Sequence, residues 1–224
     1  MLVRLIVQTV VWFGAMGAVM FLAAGTLAWP GAWVFLALML ALSLTTGPLL
    51  AKYDPGLLKE RLSSPVQKGQ STADKIIISA LFVLIFAWLA LMGLDARFHW
   101  SAVPAWVQAI GVLGLLLSVW IIYLTFRENT FAAPVVKIQA ERGHTVISTG
   151  PYAHVRHPMY FGAVFYFLGT SLLLGSWWGL AFAFLLVILL CIRIPLEEKV
   201  LRASLPGYHE YAGRVRYRLI PMVW

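Results

Sequence analysis

The sequence predicts an all-α integral membrane protein built as a multi-span helical bundle. Three observations carry this reading. The chain is 61% hydrophobic with a mean hydropathy of +0.85, far more apolar surface than a water-soluble core requires. The apolar residues fall in long uncharged runs, and the basic residues gather between them. A helix rising about 1.5 Å per residue needs about 20 such residues to cross roughly 30 Å of hydrocarbon.

The first run, Leu5 to Trp29, follows Arg4. It exceeds the roughly 7 to 15 residues of a signal-peptide core, so a retained anchor is expected. Trp29-Pro30-Gly31 then predicts a tight turn into the second run, Ala32 to Ala51. Pro55, Gly56, Pro65 and Gly69 break up the segment from Lys52 to Lys75, predicting an interfacial connector with one short helix around Leu57 to Leu62. Ile76 to Leu94 and Val103 to Phe126 supply two more spans. Gly14, Gly17 and Gly25 in the first run are candidates for close helix contact, although small residues are ordinary in membrane helices.

The last run, Met159 to Ile192, is 34 residues without a charge. As one helix it would measure roughly 51 Å, too long for one crossing. Gly175-Ser176 stands at its midpoint, so two short helices folded back on each other are expected, giving six spans, or five if the run is one bent helix.

Basic residues fix the expected orientation, because cytoplasmic loops retain them. Lys52, Lys59, Arg61, Lys68 and Lys75 follow the second span, and Arg127, Lys137, Arg142 and Arg156 follow the fourth. Arg193, Lys199, Arg202, Arg214, Arg216 and Arg218 follow the last. With six spans and both termini cytoplasmic, only Arg97 falls on the far side. The net charge of +8 is thus a topology signal and an attraction to membrane lipid; no basic stretch interleaves with aromatics as a nucleic-acid partner would require. The chain divides into residues 1-128, transmembrane helices with a connector, and residues 129-224, which carry the dense polar chemistry.

Two polar clusters flank the final run. Thr149-Gly150-Pro151 reads as a turn and Pro158 suits a first helical turn, which sets Arg156 and His157 at a helix mouth. Free N–H groups there, with Arg156, form a seat for a carboxylate or phosphate; the other reading is an arginine snorkelling to headgroups. His157 titrates near neutrality and can bind, orient or move a proton. His144 and His154 are near it in sequence, but with no adjacent carboxylate and with Cys191 the single cysteine, no metal site is expected. Beyond the run, Arg193 and Glu197 stand four apart on one helical face and can pair; Glu198 faces another side. Tyr208, Tyr211, Arg214 and Arg218 recur at helical spacing, suiting either an interfacial anchor or a lid.

HTVISTGPYAHVRHPMYFG, the apolar hairpin, R-x3-EE-x2-L and Y-x-E-Y-x2-R-V follow in that order from His144 to Pro221. This series resembles the catalytic half of the isoprenylcysteine carboxyl methyltransferase family, and more loosely the phospholipid and small-thiol methyltransferases. The resemblance implies an S-adenosylmethionine-dependent methyltransferase with a cytoplasmic-face cofactor pocket and a lipophilic or small hydrophobic acceptor reached from the bilayer. It implies that His144, Gly150, Tyr152, His157, Pro158, Tyr160, Glu197 and Glu198 line the pocket. Arg156 and Arg193 would serve the acceptor's anionic group or the cofactor's carboxylate, with His157 the third catalytic candidate. Carboxyl O-methylation of a prenylcysteine-like substrate is the nearest chemistry. A phospholipid-amine or thiol acceptor stays open, and the rivals of another class are a small transporter or a membrane scaffold. The sequence leaves the oligomeric state open.

Overall fold

The computed structural model describes residues 2–67 and 69–224, so Lys68 of the connector lies outside it. Among the described residues eight α-helices follow one another: α1 (Leu2–Ala24), α2 (Pro30–Tyr53), α3 (Pro55–Arg61), α4 (Thr72–Phe98), α5 (Ala105–Glu128), α6 (Pro158–Leu173), α7 (Trp177–Ser204) and α8 (Tyr208–Arg214). No strand occurs among the described residues. Helices α1, α2, α4, α5 and α7 are long and apolar enough to cross a membrane, and α6 is a shorter apolar helix. The chain is an integral membrane protein.

The last apolar run doubles back. Ser176 begins α7, its hydroxyl accepting from the Gly179 N–H at 2.8 Å, and Gly175 before it takes φ +74°, the left-handed backbone that glycine adopts freely. Helix α6 has 16 residues and α7 has 28. From Trp177 to Arg193 α7 rises about as far as the whole of α6, roughly 24 Å, so Arg193 returns level with Pro158. The remainder of α7 projects beyond and carries Glu197 and Glu198.

Packing explains why such a short helix is tolerated. Helix α6 lies against α5 and α7, while α4 packs on both α1 and α7, and no side chain of α6 is exposed. A Cβ on Gly169 of α6 would fall 2.8 Å from the Gly111 carbonyl of α5, so the two backbones touch directly, as small residues permit between membrane helices. The α1 glycines, the candidates from sequence, make no such approach. A Cβ on Gly14 would have nothing within 4 Å and one on Gly17 would meet only Leu36; the first helix receives its tight contact from Gly93 of α4, against the Met20 carbonyl.

The core centres on Trp88, Met20, Phe35, Leu186 and Ile194. The Trp88 indole donates to the Gly179 carbonyl at 2.8 Å, satisfying its polar handle within an apolar interior. Helix α4 is longer than its uncharged run and carries Asp74 and Asp95 into burial at its two ends. Asp95 accepts from Ser101 and Ser176, clamping the α6–α7 turn.

Candidate functional site

All the polar clusters meet at one end of the bundle. The segment from Asn129 to His157 crosses this end with two short 3-10 turns, Ala140–Arg142 and Gly150–Ala153. It forms one wall of an open cavity of about 760 Å³, its mouth included. The projecting part of α7 and helix α8 form the other wall.

Of the expected cofactor and catalytic residues, His144, Tyr152, Arg156, His157, Tyr160 and Glu197 line this cavity. Gly150, Pro158, Arg193 and Glu198 do not, and each has another position. Gly150 takes φ +55° in a turn beside the Glu128 side chain. Pro158 opens α6, where a missing N–H leaves no helical bond unmade. Glu198 lies behind the wall as a three-way acceptor, from Arg156 Nε at 2.6 Å, His157 Nε2 at 3.3 Å and Arg218 Nε at 3.2 Å.

Arg156 is held by groups of the protein itself through Nε and Nη1. It is 7% exposed, and Nη1 donates to the carbonyls of Val215 and Arg216 at 2.6 and 2.9 Å. The two N–H groups just before α6 are also engaged within the protein: Arg156 N donates to the Tyr217 carbonyl, and His157 N to that of Arg218. Arg156 therefore fastens the tail to the wall through buried, charge-assisted bonds.

Arg193 and Glu197 do not pair as their spacing suggests. Arg193 Nε donates to Asp74 of α4 at 2.7 Å and Nη2 to the Pro134 carbonyl at 2.9 Å, and its guanidinium lies 5.6 Å from the centroid of the Tyr160 ring. Asp74 in turn accepts from Val136 N and Gln70 Nε2. Glu197 instead accepts from the Tyr160 hydroxyl at 2.6 Å, and it is the one carboxylate lining the cavity. No cation of the described residues stands within 4 Å of it.

Aromatic groups complete the lining. Phe131 stacks on His144 at 4.4 Å, and the His144 Nδ1 accepts from Gln139 N at 3.3 Å. Burial, with Arg142 nearby, lowers the His144 pKa against the opposing pull of Glu141, so the imidazole stays a neutral acceptor. Burial raises the hydroxyls of Tyr152, Tyr208 and Tyr211, keeping them protonated donors. Tyr152 accepts from Asn129 Nδ2 at 2.7 Å, and Tyr211 donates to the Tyr152 carbonyl at 2.8 Å. The Tyr208 hydroxyl is buried without a partner. Among the described residues no group of His, Cys, Asp and Glu is arranged to hold a metal ion.

Asp74, Phe131, Asn129 and Gln139 carry no signal in the sequence, because each acts through a partner distant in the chain or through the fold of the 129–157 segment. Tyr208 and Tyr211 can be found from their helical spacing.

Fold and site together define a helical membrane protein with an open pocket of mixed polar and apolar lining at one end of the bundle. Residues 106–205 match the family model described as phospholipid methyltransferase. The chain is 32% identical over 123 residues to protein-S-isoprenylcysteine O-methyltransferase B of Arabidopsis thaliana, covering 52% of this chain and 58% of that one. It is 37% identical over 83 residues to protein-S-isoprenylcysteine O-methyltransferase of Saccharomyces cerevisiae, covering 36% of this chain and 35% of that one. These alignments thus span about half or less of the relatives' length. A solved structure described as a eukaryotic intramembrane Ras methyltransferase, isoprenylcysteine carboxyl methyltransferase, shares the fold over 96% of this chain and 75% of its own, with a TM-score of 0.51 and 21% identity. Both relatives are isoprenylcysteine methyltransferases by name, and the solved structure shows a shared fold.

Proposed function

We propose that this chain is an integral membrane methyltransferase that uses S-adenosylmethionine to methylate a lipophilic acceptor, most nearly the carboxyl group of a prenylcysteine. The observation that carries the reading is Glu197, a cavity-lining carboxylate held by Tyr160, with no cation of the described residues within 4 Å of it. A carboxylate so placed suits a ligand bearing a positive charge.

The cavity residues fit the donor on their own chemistry. Glu197 suits its ammonium group, the unpartnered Tyr208 hydroxyl offers a donor, and Phe131, Tyr152 and Tyr211 present aromatic surface favourable to a cation. When bound, the donor supplies an electrophilic methyl on a sulfonium sulfur. The protein's own task is alignment and a water-poor setting. Tyr160 orients Glu197, Arg193 supports the Tyr160 ring, and the Arg156–Glu198–His157 group holds the wall that faces them.

A carboxylate acceptor is already a nucleophile, so no residue has to remove a proton. The family model's description favours a second reading, transfer to a phospholipid amine. That acceptor must lose a proton, and because His157 is engaged with Glu198, Glu197 is the base available in the cavity. A thiol acceptor carries the same requirement. Both termini are read as cytoplasmic, with residues 129-224 as the catalytic region, completed by Asp74 from the first half of the chain.

Calorimetric titration of the purified chain with S-adenosylhomocysteine tests the reading, with micromolar binding expected and absence of binding sinking it. Membranes incubated with methyl-labelled donor then identify the acceptor: base-labile label on a prenylated cysteine is expected, and label on a phospholipid amine selects the second reading.

A further inference from the structure

The cations around the cavity are nearly all neutralised by a carboxylate. Lys137 pairs with Glu60 at 2.7 Å, Arg142 with Asp54 at 3.6 Å, Arg156 with Glu198 at 2.6 Å and Arg193 with Asp74 at 2.7 Å. Arg61, the last residue of α3, is different. Among the described residues no carboxylate lies within 4 Å of it. Its Nη1 donates to the Ala132 carbonyl at 3.0 Å and approaches Met159 Sδ at 3.8 Å, and its guanidinium lies 4.3 Å from the centroid of the Phe126 ring. Burial alone draws its pKa down to about 10, so it remains charged at neutral pH.

These contacts set Arg61 behind the linings of two hollows, touching residues of both. Ala132 and Met159 belong to the lining of the site cavity. Phe126 belongs to the wall of a second groove between the ends of α2 and α5, with Leu49, Leu50, Tyr53 and Tyr123 and, at its polar end, Asp54 and Arg127. Leu49 and Tyr53 are exposed on the outer surface of the bundle. Arg61 is half-buried, a guanidinium with no counter-charge favours an anionic partner, and its planar fork matches a carboxylate.

We propose that Arg61 receives the carboxylate of the methyl acceptor while the acceptor's apolar chain lies in the groove between α2 and α5. The proposal deepens the methyltransferase reading above and rests on it. It assigns acceptor recognition to α3, where the sequence points to Arg156 and Arg193, both of which are bound to carboxylates of the protein itself. It also gives a means of release. Methylation turns the carboxylate into a neutral ester, and the charge that Arg61 held is gone.

The test separates recognition of the acceptor from binding of the donor. N-acetyl-S-farnesylcysteine and its primary amide, which differ in charge but not in chain, are titrated into the full-length protein in nanodiscs, as wild type and as Arg61→Gln. Wild type is expected to prefer the acid by about tenfold, the worth of one charge-assisted contact, and Arg61→Gln to bind acid and amide within about twofold of each other. S-adenosylhomocysteine affinity stays unchanged in that variant. Wild type without the preference, or Arg61→Gln retaining it, overturns the proposal. A joint fall in melting temperature and S-adenosylhomocysteine affinity, the mark of a mere strut, also overturns it. A response of Arg61→Gln to anionic lipid in the disc with the acid preference intact assigns the residue to headgroups and overturns it too. Leu49→Trp, an exposed position that should fold, is expected to weaken acid and amide alike, and unchanged affinity for both removes the chain from the groove. Failure of wild type to bind S-adenosylhomocysteine is a separate result that counts against the methyltransferase reading, since the acid and amide titrations need no donor.

Discussion

Arg193 of α7 and Asp74 at the start of α4 lie 119 residues apart and meet through a 2.7 Å bond, with side chains only 5% and 3% exposed. The pair joins the projecting half of the hairpin to the first half of the chain. Through Val136 N, Asp74 also holds the loop that walls the cavity.

Removing one partner leaves a buried charge uncompensated. Asp74→Ala is expected to cost about 3–5 kcal/mol, and pairing it with Arg193→Met should recover part of that loss. Chemical unfolding in detergent of both single variants and the double variant checks this. Additive losses, with no recovery in the double variant, would show the two residues to be uncoupled.

Glu197 and Tyr160 form the charge-bearing pair of the cavity. Glu197→Gln is expected to reduce S-adenosylhomocysteine affinity about tenfold or more, and Tyr160→Phe about fivefold, the scale of a charged and an ordinary hydrogen bond. Calorimetry measures both. Wild-type affinity in both variants would reject the assignment.

His144 gives the site a pH dependence of known sign. Its pKa is lower folded than unfolded, so above about 6.5 its contribution to stability is complete. That contribution is lost as pH falls through this value toward the folded one, because the unfolded chain takes up the proton first. Melting temperature should fall between pH 7.5 and 5.5 by more in wild type than in His144→Asn. Parallel curves would exclude His144 as the source.

The α5–α6 contact leaves no room for a side chain. Gly169→Val is expected to destabilise by about 1–3 kcal/mol as an overpacked interface, whereas Gly14→Val, in open space, should change little. Thermal unfolding in detergent compares them, and equal effects would show that α5 and α6 do not meet as described.

The hairpin is legible in the sequence because a 34-residue uncharged run cannot cross a bilayer once, and Gly175-Ser176 marks where it turns. The two flanking clusters are legible as a site for the same reason. Their internal pairing is not. Helical spacing nominates Arg193 for Glu197, but Asp74 on another helix is the stronger partner and leaves Glu197 for Tyr160. Nor can an apolar-run reading see that α4 extends past Ile76 and Leu94 to bury Asp74 and Asp95. Local periodicity carries no information on which distant helix supplies a counter-charge.

The brevity of α6 has a wider consequence. With no side chain of this 16-residue helix fully exposed, its shortness is largely screened by the longer helices around it. The charged groups at its mouth can therefore sit deeper than the ends of those helices with little mismatch. A molecule anchored by a long hydrocarbon tail could be processed there without being lifted from the leaflet that holds it.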